Sequence, residues 1–502
     1  MISSILLQII FIPVLVALLI FLFRNHLGKK AGWLAVLGIA YTTGLLLVAL
    51  SSVYQGGPIK VDYPLAINPD IRFTLLADGL SIVVALICNL VCLALSIYSI
   101  KYIDHRIEIL FAGIDKENEI KYYACFFYLF MFFPVGFVGL TFAADLIVLY
   151  FFLELLTIIF YFLLAYFGYY ERVKVAMMFL IWGIFSAVVT LAGILVIYSQ
   201  VGSFQIDQIH HMAGSPLAFW AIAIILVGLF AKIAIVPLHV WIPWVHSNTP
   251  TSTAALMAVY ANIVAYIVVR VLVLPLWDDF QWFGPPIMVL AVITMVYGAL
   301  LTLGQTDMKR IPACSTISQC AYSMLGIGAL TAASIEGGLF FFLSHCIGKT
   351  VFFSAAGMVV YSTHIRDTTK LSGLMYKMPI TALIFILGGL MLAGIPPFSS
   401  FISEVIMFQG IFQRADTIGI TLGIIGLMAV LLTVGYVAYF ALTIFFGELP
   451  DNLKNNDHIK DPPMSMCLPL IGIIILGAFL GLHPSIVMDL FEPVITQVLA
   501  GR

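Results

Sequence analysis

The chain has 502 residues, of which 62% are hydrophobic and 10% charged, with a formal net charge of -2. Soluble domains carry about 25% charged residues, so this composition excludes a soluble globular enzyme and points to a polytopic membrane protein. The balance of charge also lacks the basic face that nucleic-acid binding requires.

Apolar stretches of about 20 residues, the length that crosses a bilayer, fall in chain order at 4–23, 32–52, 76–100, 123–142, 146–168, 176–199, 217–245, 253–274, 285–303, 313–330, 337–360, 380–412, 418–446 and 465–483. The expectation is an all-α polytopic membrane protein with fourteen transmembrane helices, called spans 1 to 14. The first run has no basic residue ahead of it and Arg24, Lys29 and Lys30 behind it. A secretory signal has the opposite polarity, so this run reads as a retained helix with its N-terminus outside. Asp78, in LLADGLS at the start of span 3, reads as a helix cap.

Lys and Arg in the loops test the segmentation. Odd-numbered loops hold sixteen and even-numbered loops four, with Arg270 among the four. By the positive-inside rule the odd loops lie in the cytoplasm and both termini outside. The expected location is the cell (inner) membrane.

Spans 7 and 12 are longer than a simple crossing, and both contain prolines. Span 7 reads LFAKIAIVPLHVWIPWVH, with Pro237 and Pro243; span 12 reads GGLMLAGIPPFSSFISEVIMF, with Gly394, Pro396 and Pro397. Proline removes a backbone bond, and at membrane depth this is tolerated where protein or water re-satisfies the backbone. Broken helices at matching places in two halves are the usual pointer to inverted repeats. Spans 4–8 (residues 123–274) and 9–13 (275–446) form two five-helix units. An odd number of spans per unit inverts the second against the first. Residues 1–122 carry spans 1–3, and 447–502 carry span 14 and a tail.

Ionisable side chains at membrane depth cost about 2.5–3.5 kcal/mol each on insertion scales and mark function. The basic ones inside the apolar segments are Lys232 and Lys349, joined by the acids Glu154 and Glu404. Glu154 lies nine residues after Asp145, about 13 Å along a helix and close to the midplane. Desolvation favours the neutral forms of Glu154 and Lys232, whereas mutual approach favours the charged pair, so a change in their separation would move a proton. A static ion pair is the alternative. His345 and Lys349 are four apart, share a helix face and suit a relay between the halves; neutral packing of His345 is the alternative. His239 and His246 flank the break of span 7. No third or fourth ligand clusters with them, so zinc is not expected.

The seven cysteines include no CxxC, and no phosphate loop, Rossmann glycine pattern or haem motif occurs. Neither a cofactor nor a metal is expected.

Four segments, AKIAIVPLHVWIPWVHSNTPTSTAAL, GQTDMKRIPACSTISQCAYSMLGIG, LSHCIGKTVFFSAAGMVVY and AGIPPFSSFISEV, carry a resemblance. The chain resembles the antiporter-like subunits of the complex I superfamily. These include M-type proton-pumping subunits of NADH–quinone oxidoreductase, their counterparts in membrane-bound hydrogenase and related complexes, and D-type subunits of multisubunit cation/proton antiporters. The resemblance implies that Glu154 is the span 5 glutamate, Lys232 the span 7 lysine, His345 and Lys349 the span 11 relay, and Glu404 the span 12 exit residue. It implies a non-redox subunit that translocates protons while electron transfer proceeds elsewhere in a multisubunit complex, with other membrane and peripheral subunits, lipid and protons (or Na+) as partners. The alternatives are a subunit of a multisubunit Na+/H+ antiporter and a structural subunit with an interrupted path. The family pattern usually places a lysine in span 8, where VYANIVAYIVVR has Asn262, an amide that cannot titrate. His246, Asn262 and Tyr260 are the candidate links across that gap. Either waters and Lys349 bridge it, or this chain pumps weakly.

Overall fold

A computed structural model describes residues 3–67 and 70–500. Among them, twelve helices are long and apolar enough to cross a membrane. The chain is therefore a multi-pass helical membrane protein, with apolar side chains both in its core and over much of its exposed surface.

Two apolar stretches fall short of that criterion for opposite reasons. Arg310–Ala329 is twenty residues long and buried almost throughout, but it is studded with Ser, Thr, Gln and Tyr. Span 12 is divided into Pro379–Leu392 and Ser399–Gln413. Span 4 bends at Met131, between Lys116–Phe130 and Phe132–Phe142. Residues after span 14, read from sequence as a tail, form the helix Ser485–Ala500.

One element lies outside the sequence reading. Ile59–Ile67 and Asp70–Ala77, placed in a loop, form an antiparallel hairpin with a register shift between Pro64 and Ala66. It is pinned by the Arg72–Asp62 ion pair at 2.6 Å. Asp78 then caps the Gly79–Leu110 helix through the Ser81 backbone N–H, as expected.

The loops sort to two ends. At one, Arg106 donates to the carbonyls of Phe167 (3.2 Å) and Gly168 (2.6 Å), and Arg366 pairs with Asp307 at 2.8 Å. These contacts join loops 3, 5, 9 and 11. At the other, Ala144 N–H donates to Thr74 O, Gln205 reaches Asp145 at 2.8 Å, and Arg414 donates to Ala329 O. These join loops 2, 4, 6, 10 and 12. Odd and even loops therefore occupy opposite ends.

The even-loop tally needs one correction. Arg270 does not sit in a loop: it is buried within the helical stretch Thr251–Val273, in a π-helical segment, with its Nη1 2.6 Å from Asp78 Oδ2. A buried arginine survives there because a carboxylate neutralises it. Lys309, assigned to loop 9, is also wholly buried.

Candidate functional site: a buried polar axis

Span 7 breaks where its sequence cannot continue a helix. The Pro216–Ile233 helix ends at Ala234, held at φ 61°, and the chain resumes as Ile242–Asn248. Pro237 has no N–H to return to Ile233 O, which stops the ladder. The Trp241 indole N–H takes up one freed carbonyl, Ala231 O, at 2.9 Å. Lys232 therefore lies in the last turn of a helix that ends inside the protein, where the backbone dipole favours a cation.

Span 12 is the counterpart of opposite sign. Its first half ends at Leu392, Gly394 takes φ 62°, and the second half begins at Ser399. Glu404 sits in the second turn of that half-helix, near an end whose dipole favours an anion. Its carboxylate lies against the break: a Cβ at position 394 would stand 2.3 Å from Glu404 Oε2 and displace that carboxylate, while the positive φ there is what favours glycine. Ser400 Oγ donates to the freed Met391 carbonyl.

The structure brings most of the expected residues together. Lys232 Nζ is 2.9 Å from Glu154 Oε1 and is 2% exposed, while the Glu154 side chain is 20% exposed. The ammonium also donates to Tyr260 (2.8 Å) and Thr157 (3.2 Å), whose hydroxyls are 2.7 Å apart. Beside it is a void of about 10 Å³, lined by Lys232, Trp241 and Tyr260, at the lower limit for one water.

Across the centre, Asn262 Nδ2 and His345 Nδ1 are 3.1 Å apart. His246 is fully buried with neither ring nitrogen hydrogen-bonded, its ring 5.7 Å from Trp241. Buried imidazoles without partners are rare, since each unmet polar group costs about 1–3 kcal/mol. His239 stands apart from this group: its ring packs on Tyr297 at 4.8 Å and its Nδ1 has no partner.

Lys349 Nζ donates to Ser315 Oγ (2.5 Å) and to Pro312 O (3.0 Å). From there runs a chain that sequence reasoning missed. Ser315 lies beside Tyr436. Gln319 Nε2 donates to Tyr436 OH (3.4 Å) and Thr433 Oγ1 (3.2 Å), and Tyr322 OH is 3.3 Å from Thr433 Oγ1. Glu404 is the acidic neighbour of both Tyr322 and Tyr436. Ser315, Gln319 and Tyr322 are spaced i, i+4, i+7 and share one face of their helix. That polar stripe in CSTISQCAY was the available signal.

Arg270, Lys309 and the carboxylates of Asp104, Glu108 and Glu119 were not anticipated as buried or clustered groups. The three acids bring oxygens within 4.8 Å of one another at the odd-loop end, and Lys29 bridges Asp104 (2.5 Å) and Glu119 (3.3 Å).

Comparison with known proteins agrees with this architecture. The family described as NADH:quinone oxidoreductase/Mrp antiporter, TM, matches residues 143–433, more than half of the chain. The chain is 27% identical to NADH-quinone oxidoreductase subunit M of Rickettsia felis over 98% of its own length and 97% of that protein's. It is 29% identical to Na(+)/H(+) antiporter subunit A1 of Staphylococcus haemolyticus, covering 97% of this chain and 62% of that one. A chain of respiratory complex I from Thermus thermophilus superposes with a TM-score of 0.85 at 20% identity, covering 99% of both chains. The chain belongs to the NADH:quinone oxidoreductase/Mrp antiporter transmembrane family.

Proposed function

We propose that this chain is a proton-translocating, non-redox subunit of a multisubunit membrane oxidoreductase, driven by electron transfer in its companion subunits. One observation carries the reading. Paired charges and hydroxyls run from Glu154–Lys232, past Asn262–His345, to Lys349, and from Lys349 through Ser315, Tyr436, Gln319, Thr433 and Tyr322 toward Glu404. Hydroxyls both donate and accept, so they can hand protons between titratable sites, while the amides only hold their hydrogen-bond partners in line.

In this reading Glu154 tunes the proton affinity of Lys232 through their ion pair. His345 and Lys349, with Asn262, Tyr260 and His246 as links, carry the proton across the centre. Glu404 releases it, and His239 serves the mouth of the first half. The chain crosses the membrane fourteen times: the twelve apolar helices, the polar Arg310–Ala329 helix and the broken span 12. Residues 123–274 and 275–446 are inverted units, because span 4 starts at the odd-loop end and span 9 at the even-loop end. The odd loops face the cytoplasm and both termini the outside of the cell membrane. Residues 1–122 and 447–502 flank the pumping core and meet lipid and neighbouring subunits.

The test is proton pumping by the native assembly in proteoliposomes. Glu154→Gln should abolish electron-driven acidification by this subunit with the complex still assembled; an unchanged proton-to-electron ratio defeats the reading. The likeness to an Na(+)/H(+) antiporter subunit supports a second reading, sodium/proton exchange without a redox partner. It requires Na+-dependent proton movement in an assembly that holds no electron-transfer chain.

A further inference from the structure

The odd-loop end holds a cavity of about 360 Å³ that the proton path does not use. The ends of spans 3 and 11 and the loop between spans 5 and 6 form its wall. Arg106, His105, Arg366 and His364 line it with Tyr169 and Tyr170, and no carboxylate is among the lining residues. Ile109, Leu110 and Val360 give it an apolar side. Its volume falls in the range of small-molecule sites, about 300–1,000 Å³.

Helix spacing sorts the charges. Tyr102, His105, Arg106 and Ile109 stand at i, i+3, i+4 and i+7 on the Gly79–Leu110 helix and share the face that lines the cavity. The acids of that helix are engaged elsewhere or lie in the open: Lys29 holds Asp104 at 2.5 Å, and the Glu108 side chain, 4.0 Å from His105, is 59% exposed.

The two arginines keep a donor that the chain does not use. Arg106 is buried and has no ion pair among the described residues; its Nε and Nη2 donate to the Phe167 and Gly168 carbonyls. Arg366 spends Nε and Nη2 on Asp307 and the Ser247 carbonyl. Among the described residues, Nη1 of neither arginine is hydrogen-bonded. Both guanidiniums lie near one ring, 3.8 and 5.5 Å from the Tyr169 centroid, and Lys309 Nζ stands 3.9 Å from it. Three basic groups therefore crowd one tyrosine, with Asp307 as the carboxylate beside them. Buried cations need an anion for company, and two planar guanidinium forks match the oxygens of a phosphate.

We infer that this cavity binds a phosphate group, carried by the headgroup of an anionic phospholipid. Its place favours lipid over free phosphate. The cavity sits at the ends of the spans, where headgroups lie, and its apolar side suits the glycerol and first acyl carbons. Tyr170, 73% exposed at its edge, stands where tyrosines belt a bilayer interface. Basic pockets between transmembrane helices are a recurring form of headgroup recognition. The bound headgroup bridges the ends of spans 3 and 11 and the loop after span 5.

The test is lipid binding by the native assembly, stripped of lipid in detergent and titrated with phosphatidylglycerol, phosphatidylcholine or inorganic phosphate. Native mass spectrometry counts the lipid held. The parent should hold one phosphatidylglycerol more than an assembly carrying Arg106→Gln. Neither phosphatidylcholine nor inorganic phosphate at equal concentration should displace it. Arg106 also holds two backbone carbonyls, so His364→Asp serves where Arg106→Gln does not assemble. The His364 side chain makes no hydrogen bond among the described residues, and its φ of 58° is one that aspartate tolerates. A carboxylate there should weaken phosphatidylglycerol binding about fivefold or more. Equal phosphatidylglycerol binding by parent and His364→Asp overturns the inference, and so does equal retention of phosphatidylcholine. Displacement by inorganic phosphate overturns the lipid as its source. An acidic segment of a companion subunit seated in the cavity would leave no phosphatidylglycerol difference at all, which overturns it equally.

Discussion

Asn262 Nδ2 stands 3.1 Å from His345 Nδ1, so the amide in the slot where the family pattern has a lysine is hydrogen-bonded to the first titratable group of the second half. The amide cannot carry a proton, but it fixes the imidazole's orientation and leaves Nε2 without a partner. Asn262→Leu frees His345 and strands its ring in the core. Thermal melting of the assembled complex should show a loss of about 1–3 kcal/mol, and the proton-to-electron ratio should fall. Pumping unchanged with stability reduced would make Asn262 a packing residue only.

The Glu154–Lys232 pair gives a double-mutant test. Lys232 is buried, so Glu154→Gln leaves an ammonium with hydroxyls alone and should cost up to about 3–5 kcal/mol, discounted for the partial exposure of Glu154. Adding Lys232→Met removes the stranded charge and should recover most of that stability, because contacting sites are not additive. Pumping should stay lost in the double variant. Recovery of both together would mean the pair is structural.

Tyr322 and Tyr436 make a milder prediction. Tyr322→Phe or Tyr436→Phe removes one hydroxyl and keeps the ring, at a cost of about 1 kcal/mol. Each removes a hydroxyl from the polar chain that runs from Lys349 toward Glu404. Proton release should slow while electron transfer and melting temperature change little. Equal pumping in both single variants and in the pair would show that protons do not use this chain.

Arg270 and Asp78 should behave in the opposite way. Asp78→Asn leaves a buried guanidinium unpaired and removes part of a helix cap, for a cost of about 3–5 kcal/mol. Assembly yield and melting temperature should fall, while each surviving complex pumps at the parent ratio. A selective pumping defect would add this pair to the pathway.

How much of this was legible in the chain follows from the physics of each segment. Spans 7 and 12 could be read because proline and glycine stop a helix locally, whatever surrounds them. Their polarity could be read too, because Lys232 precedes its break and Glu404 follows its own; the structure puts Lys232 in the last turn of one half-helix and Glu404 in the second turn of the other. The Glu154–Lys232 pairing was readable as chemistry, since a lone lysine in fat needs a partner. The Ser315–Gln319–Tyr322 stripe was hidden by the rule that found the spans, because a helix buried among helices can be polar and still cross. Arg270 and Lys309 were assigned to loops on charge, yet one is neutralised by Asp78 and the other lies against Tyr169 and Thr249. The Ile59–Ile67 hairpin needed its partner strand in register, which no single segment announces.

The most direct measurement is the proton-to-electron ratio of the native assembly in proteoliposomes with Lys349→Met, a substitution that keeps the stem and deletes the charge at the junction of both halves. The account predicts that electron transfer and assembly persist while the protons moved per electron fall. A ratio equal to the parent's would contradict a proton path through the buried axis.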